Sequence, residues 1–173
     1  VPVWAEATDA PVIRALAQQA LFADLVVLGQ RNPDDPVTSA LPPDLAEAVV
    51  LSSGRPALLI PYVGAPATLG QTVVVAWKET PEAARALSAA MPILQQAAAV
   101  HVLSWDEEED ASAVGATLDL GSYLGAHGVG FTWHRGGAAP AGLGEVLLSR
   151  AFELEADLLV MGCSGHSRAR EWV

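Results

Sequence analysis

The segment ADLLVMGCSGHSRAREWV, Ala156–Val173, carries residue types that could hold a phosphate group. A short apolar run reaches Gly162, and Gly165 follows three residues later. Glycines let a backbone turn sharply and bring its N–H groups close to an anion. His166 and Ser167 come next and can donate hydrogen bonds, and a helix starting there would add its positive N-terminal end. From these residues alone, a phosphate-binding turn and a glycine turn needed only for packing both remain open.

Other residue types that carry chemistry show no matching pattern. The single cysteine, Cys163, excludes an internal disulfide and has no candidate base beside it except His166. His101, His127 and His134 lack the spacing to cysteines or carboxylates that metal sites use, so we predict structural histidines and no metal. The sequence contains no G-x-S-x-G elbow and no Walker lysine. We therefore expect no catalytic residues and a protein that is not an enzyme.

The composition is that of an acidic globular protein. The formal net charge of −11 argues against nucleic acid as a partner, because a phosphate-binding surface needs a basic patch. The acidic run Asp106–Asp110 is typical of a solvated loop rather than a metal site. No apolar run approaches the roughly 20 residues that cross a bilayer, and the first residues lack the pattern of a signal peptide. We expect a cytoplasmic protein without a membrane partner.

Short apolar runs alternate with amphipathic segments along the whole chain. Such runs, not alternating in polarity and separated by helices, indicate a parallel sheet covered on both faces, the α/β class of doubly wound sheets. The predicted strands are Val1–Ala7, Asp24–Gln30, Pro56–Val63, Thr72–Trp77, Ala99–Trp105, Val129–Arg135 and Asp157–Gly162. The predicted helices are Asp9–Phe22, Asp44–Ser53, Thr80–Gln96, Asp110–Gly128 and Leu143–Glu155.

Three helices carry more detailed predictions. Asp9 is expected to cap the first helix, with Val12, Ile13, Leu16 and Ala20 on one face, and Gly54 is expected to end the second. In the third, Ala84, Leu87, Met91 and Leu94 are predicted to face inward, and Pro92 to kink or shorten the helix.

An internal repeat points to two domains of one design. The run Ala23–Gln30, ADLVVLGQ, recurs as ADLLVMGC at Ala156–Cys163, an offset of 133 residues. Trp4 precedes the first copy much as Trp133 precedes the second, with an alanine-rich helix between. We predict the end of a first domain at 1–63, a linker at 64–71 and a second domain at 72–173 without its last helix and strand.

The chain resembles the universal stress protein family, particularly its bacterial members with two tandem domains. The resemblance rests on ADLLVMGCSGHSRAREWV, on TVVVAWKETPEAARAL after the linker, and on SSGRPALLIP at the end of the first domain. It implies five-stranded parallel α/β domains of strand order 3-2-1-4-5 that pair through their last strands, as a homo-oligomer or within one chain. It also implies ATP or another adenine nucleotide as ligand, held by Gly-x-x-Gly, nine residues, then Gly and Ser or Thr.

The resemblance assigns roles to particular residues. Gly162 and Gly165 form the first half of the motif, with His166 and Ser167 in the same loop. The ends of two strands are expected to line the adenine. The full set of expected nucleotide-binding residues is Ala76, Trp77, Val102, Met161, Gly162, Gly165, His166 and Ser167.

The sequence departs from the family pattern in three places. The second half of the motif would fall beyond Val173. Lys78 stands where nucleotide-binding members carry an acidic residue, and lysine has no hydrogen-bond acceptor. In the first domain Gly29 is followed by Asn32 in place of a second glycine, and then by two aspartates that disfavour an anion. The first domain is therefore expected not to bind nucleotide.

The glycine turn and the family resemblance leave three functions open. The leading one is a regulatory or protective binding module of the stress response with a nucleotide in its second domain. The alternative is a partner-binding stress protein without nucleotide. A slow nucleotide hydrolase that uses His166 ranks last, since no metal-binding carboxylate stands near the loop.

Overall fold

The computed structural model describes residues 2, 4, 6, 10–64, 67–105 and 119–163. They fall into two compact units, one of the described residues up to 64 together with Cys163, the other of residues 67–105 and 119–162.

The first unit is a pair of helices on a pair of parallel strands. Its elements are α1 (Val12–Ala20), β1 (Val26–Gly29), a 3-10 turn (Thr38–Ala40), α2 (Leu45–Ser53) and β2 (Ala57–Ile60). β1 and β2 pair in parallel, with Val26 opposite Ala57 and Gly29 opposite Ile60.

The ends and faces of these two helices agree only partly with the sequence predictions. Gly54, at φ 66°, ends α2 in the left-handed conformation, as predicted, and its N–H donates to the Val50 carbonyl. Val12 was predicted to face inward but is exposed, whereas Ala17 and Ala20 are buried.

The second unit is a four-stranded parallel sheet. Along the chain it contains β3 (Thr72–Ala76), α3 (Pro81–Leu94), β4 (Ala99–Trp105), α4 (Leu120–Ala126), β5 (Thr132–Gly136), α5 (Leu143–Glu153) and β6 (Leu158–Met161). Its strand order is β5-β4-β3-β6, and every pairing is parallel. The predicted α/β class with parallel sheets is confirmed. Counted within this unit, β3, β4, β5 and β6 are strands 1, 2, 3 and 4, so they occupy the first four places of the order 3-2-1-4-5.

Helices cover both faces of this sheet. Leu87, Met91 and Leu94 of α3 pack with Leu120 and Leu124 of α4 against one face. Leu147 of α5 packs against Val74 and Leu103 on the other. Because β3 is buried on both sides, its sequence TVVVA shows no alternation of polar and apolar residues.

α3 begins and ends for local reasons. Thr80 caps it by accepting a hydrogen bond from the Ala83 N–H at 3.3 Å, and Pro81 occupies the first position, where no N–H is needed. Pro92 lies in the last turn, and the helix ends two residues later, so the predicted shortening is confirmed. The predicted inward face is wrong at Ala84, which is exposed, whereas its neighbour Ala83 is buried.

Several sequence predictions fall outside the described residues. These are most of the strand predicted at Val1–Ala7, the cap at Asp9, the acidic loop Asp106–Asp110, and the first part of the helix predicted at Asp110–Gly128. Among the helices of the described ranges, none combines the length and apolar character that crossing a membrane requires.

Candidate functional site

The strand order reverses at the carboxyl ends of β3 and β6. Ala76 and Met161, the last residues of these strands, lie opposite each other in the sheet. The chain leaves β3 toward α3 on one face, and it reaches β6 from α5 on the other face. In open α/β sheets such a reversal leaves a crevice between the loops, and ligands bind there.

The turn after β3 directs the start of α3 to this edge. The Trp77 N–H donates to the Leu103 carbonyl at 2.8 Å, which extends the ladder between β3 and β4 by one residue. The Thr80 N–H then donates to the Lys78 carbonyl at 2.7 Å, and α3 starts at Pro81. The positive end of the α3 dipole therefore lies beside the carboxyl ends of the strands.

Gly162 allows the chain leaving β6 to lie against the first turn of α3. A Cβ atom at position 162 would lie 2.7 Å from the Ala83 nitrogen and 2.9 Å from the Glu82 carbonyl carbon. Both are backbone atoms, which have little room to move, so only glycine fits without a shift of the helix or strand. Close packing is thus a sufficient reason for this glycine, and it places Gly162 itself at the N-terminus of α3.

Charges of both signs surround this edge. Lys78 and Glu79 are exposed, and Glu82 in the first turn of α3 pairs with Arg85 at 3.1 Å. The pKa of Glu82 is lowered, first by a hydrogen bond from its own backbone N–H and then by the Arg85 guanidinium, although partial desolvation acts against them. Glu82 therefore stays ionised at neutral pH, and Lys78 is the cation adjacent to Trp77.

The structure brings four of the predicted site residues together. Ala76 and Trp77 at the end of β3 lie beside Met161 and Gly162 at the end of β6, and Met161 is 38% exposed. Val102 does not reach this edge, because it lies opposite Val75 and its side chain is completely buried against α3 and α4. Gly165, His166 and Ser167 lie outside the described residues.

The aromatic side chains near this edge are partly taken up by the core. Trp77 is partly buried and packs on the face of the sheet that α3 and α4 cover. Trp105, at the end of β4, packs on the opposite face, where its indole lies over Gly136.

Two open cavities among the described residues lie away from this edge. One borders α1 in the first unit, next to Arg14 and Gln18. The other lies at the amino edge of β6, next to Asp157 and Phe152.

The corresponding turn of the first unit is closed by its own side chains. Arg31 donates to the Ser39 carbonyl at 2.8 Å, and the Asn32 N–H donates to the Thr38 hydroxyl at 3.3 Å. The Asp35 carboxylate accepts from the Val37 N–H at 3.1 Å and from the Thr38 hydroxyl at 2.8 Å. The hydrogen bond from the Val37 N–H, and after it the one from the Thr38 hydroxyl, lower the pKa of Asp35. A carboxylate therefore already occupies donors that a phosphate would otherwise use.

Two groups of polar residues were not anticipated from the sequence. His101 and His134 are hydrogen-bonded to each other although 33 residues separate them. Asp157 accepts hydrogen bonds from Thr68, Gln71 and Thr72, more than 80 residues away. In both cases strand pairing brings the partners together, and no local sequence pattern signals it. The one available clue for Asp157 was its recurrence in the repeat as Asp24.

Comparison with known proteins supports the description of the fold. No family model and no curated protein matches the sequence. A universal stress protein structure from Archaeoglobus fulgidus DSM 4304 aligns over 86% of this chain at 20% identity and a TM-score of 0.63. The chain spans 53% of that structure, about half its length. A structure of the universal stress protein family from Burkholderia pseudomallei aligns over 62% of this chain and 90% of its own, at 20% identity and a TM-score of 0.45. The chain thus has the α/β fold of the Archaeoglobus fulgidus universal stress protein.

Proposed function

We propose that the chain belongs to the universal stress protein family and acts as a regulatory or protective binding module, with an adenine nucleotide bound by its second unit. The shared fold and the family-like segments around Trp77 and Gly162 support this proposal. The observation that carries it is the arrangement at the carboxyl edge. Trp77 and Gly162 flank the reversal of strand order, beside the N-terminus of α3. We further propose that the protein acts in the cytoplasm, as a homo-oligomer or through pairing of two domains.

Each part of the proposed site has a physical role. The turn through Gly162 and Gly165 would direct backbone N–H groups at phosphate, with His166 and Ser167 as further donors. Ala76, Trp77 and the exposed part of Met161 would form an apolar floor under the base. Val102 would support this floor from within the core rather than contact the ligand.

Lys78 affects how the base would be recognised. An acidic side chain at this position could accept hydrogen bonds from an amino group or a ribose hydroxyl, whereas a lysine can only donate them. We therefore expect apolar contacts with Trp77 and Met161 to hold the base. The affinity is expected to be lower than an added acidic contact would allow.

The first unit is proposed not to bind nucleotide. The Asp35 carboxylate already accepts hydrogen bonds within its turn, and a second acidic residue, Asp34, precedes it in the chain. A phosphate entering this turn would face two carboxylates, and the Arg31 guanidinium in the turn already donates to the Ser39 carbonyl.

A second candidate is a partner-binding stress protein without nucleotide. Two observations favour it: the Trp77 indole already packs on the core, and the contact with α3 is a sufficient reason for Gly162. Under this alternative the carboxyl edge would be a surface of the fold and Gly165 could be replaced without loss.

Titration calorimetry separates these two candidates. The chain is titrated with ATP, ADP and AMP, in parallel with the variants Gly165→Ala and Gly137→Ala. Gly137 is the matched control because a Cβ there meets no atom within 4 Å. We expect binding heat for the chain and for Gly137→Ala, and at least ten-fold weaker binding for Gly165→Ala. No heat at millimolar nucleotide for the chain and both variants would favour the partner-binding candidate. Equal binding by both variants would contradict the role given to Gly165.

We also propose that the protein is not an enzyme. His166 is the residue that a slow hydrolase would use, so phosphate release from ATP is compared between the chain and His166→Ala. We expect the two rates to be equal and indistinguishable from buffer. Release that disappears in the variant would establish hydrolysis instead.

A further inference from the structure

His101 of β4 and His134 of β5 meet on the face of the sheet that α5 covers. Nδ1 of His101 lies 3.1 Å from Nε2 of His134, and the ring planes are tilted by 48°. The two histidines are diagonal neighbours on the paired strands, because His101 lies opposite Thr132 and His134 lies opposite Leu103. Leu103 belongs to the core cluster under α5, which identifies the face.

The pair remains accessible despite its position on a covered face. Both rings are partly exposed. β5 is the last strand on its side of the described sheet, so the pair lies near an edge. The pKa of His101 is lowered, first by burial and then by the neighbouring His134. The facing nitrogens lie 3.1 Å apart and share one hydrogen, so the accepting ring is neutral, as an imidazole must be to ligate a metal.

We propose that His101 and His134 chelate one divalent transition-metal ion, with water completing the coordination. At the usual metal–nitrogen distance of about 2.0–2.1 Å, nitrogens 3.1 Å apart subtend an angle of about 100° at the metal. That angle lies between those of octahedral and tetrahedral sites, so the backbone need not move. The rings must only turn so that both lone pairs point to the ion. The hydrogen now shared between the facing nitrogens moves through water to the far nitrogen of its own ring, and no proton is lost.

The donor set also predicts which ions bind. Two imidazoles suit Cu²⁺, Ni²⁺ and Zn²⁺, whereas Mg²⁺ and Ca²⁺ prefer oxygen. Within the described ranges, no group of three or more histidine, cysteine or acidic side chains is arranged to hold an ion, so the protein supplies two ligands here. We therefore expect weaker binding than in structural zinc sites, with Mg²⁺ giving no signal.

Zinc titration of the full chain at pH 7.5 tests the proposal. The variants are His101→Gln and His134→Gln, and the matched control is His127→Gln, on the exposed end of α4. We expect one Zn²⁺ per chain for the chain and the control, and at least ten-fold weaker binding for the two pair variants. Binding should also weaken at least ten-fold at pH 5.5, where imidazoles are protonated. Thermal melting without metal establishes that each variant is folded.

Nitrogen NMR of the imidazole rings gives a second readout on the unmutated chain. Zn²⁺ is expected to shift Nδ1 of His101 and Nε2 of His134 and to leave the ring of His127 unchanged. Absence of binding at millimolar Zn²⁺, equal binding by the pair variants, or loss of binding in the control variant would overturn the proposal.

Discussion

At the scale of single residues, Asp157 joins the amino ends of β3 and β6. Its carboxylate accepts hydrogen bonds from the Thr68 hydroxyl at 2.8 Å and from the N–H groups of Gln71 and Thr72 at 3.0 and 3.1 Å. Its own N–H donates to the Thr72 carbonyl at 3.0 Å. Burial acts to raise the pKa of Asp157, but the hydrogen bonds together outweigh it, and the pKa is lowered.

We predict that Asp157→Asn lowers the stability of the second unit at neutral pH. The folded-state pKa lies below the unfolded value, so the ionised carboxylate stabilises the fold above about pH 4 and this contribution is lost as the pH falls through the folded pKa. Loss of charge-assisted hydrogen bonds should cost about 1–2 kcal/mol. For a unit of this size that lowers Tm by roughly 5–15 °C.

Thermal melting from pH 7 down to pH 3 measures this effect. The matched control is Asp24→Asn, the counterpart in the repeat, which is exposed in the first unit. We expect little change in Tm for the control and a difference between the chain and Asp157→Asn that shrinks below pH 4. Equal losses in both variants, or a difference independent of pH, would contradict the role given to Asp157.

Single residues also mark the limit of prediction from sequence. Gly162 was expected directly after a buried strand, and the structure places it there, at the end of β6 against the first turn of α3. Val102 was expected beside the base but is fully buried, because it pairs with Val75 inside the sheet rather than with the last residue of β3. The contact between His101 and His134 depends on the register of β4 and β5, which no local pattern reveals.

At the scale of elements, the contact between the end of β6 and the first turn of α3 shapes the candidate site. It holds Gly162 against the helix N-terminus, since a Cβ atom there would lie 2.7 Å from the Ala83 nitrogen. Thr80 and Pro81 start α3 at the place where this contact occurs.

We predict that Gly162→Ala destabilises the second unit by about 1–3 kcal/mol, the usual cost of forcing an added methyl into a packed contact. Urea unfolding measures the change, with Gly137→Ala as control because that position opens into free space. A Gly162→Ala variant as stable as the control would mean that β6 and α3 do not approach this closely.

Elements were easier to predict than their faces. The start of α3 follows from Thr80 and Pro81, and its shortening from Pro92, which are all local signals. Its inward face was misassigned at Ala84 because the helix is rich in alanine, and an alanine is accommodated equally well on either side. Val12 of α1 was misassigned for a related reason, since the buried side of α1 is formed by the small residues Ala17 and Ala20.

At the scale of the whole molecule, the parallel strands and the two covered faces could be predicted because the buried strands are continuous apolar runs. The strand order came from the resemblance rather than from periodicity, which carries no information on which strands are neighbours. The observed order β5-β4-β3-β6 matches the first four of the five strands in the family's order.

The net charge of −11 bears on any nucleotide ligand. An acidic protein repels an anion at long range, so binding has to come from local donors such as backbone N–H groups and a helix N-terminus. The carboxyl edge of the second unit offers the dipole of α3 but not its first N–H groups, which already bond to Thr80 and to the Glu82 carboxylate. The turn after β1 likewise satisfies its donors with Asp35.

Mapping ATP onto the chain by ¹H–¹⁵N correlation spectra tests the central claim most directly. We predict shifts of the amides at the carboxyl edge, among them Trp77, Lys78, Glu82, Met161 and Gly162. The amides of Gln71, Thr72 and Asp157 at the amino edge, and those of Asp34 and Thr38 in the first unit, should stay unchanged. No shifts at saturating nucleotide, or shifts confined to the amino edge or the first unit, would contradict a nucleotide site where β3 and β6 end.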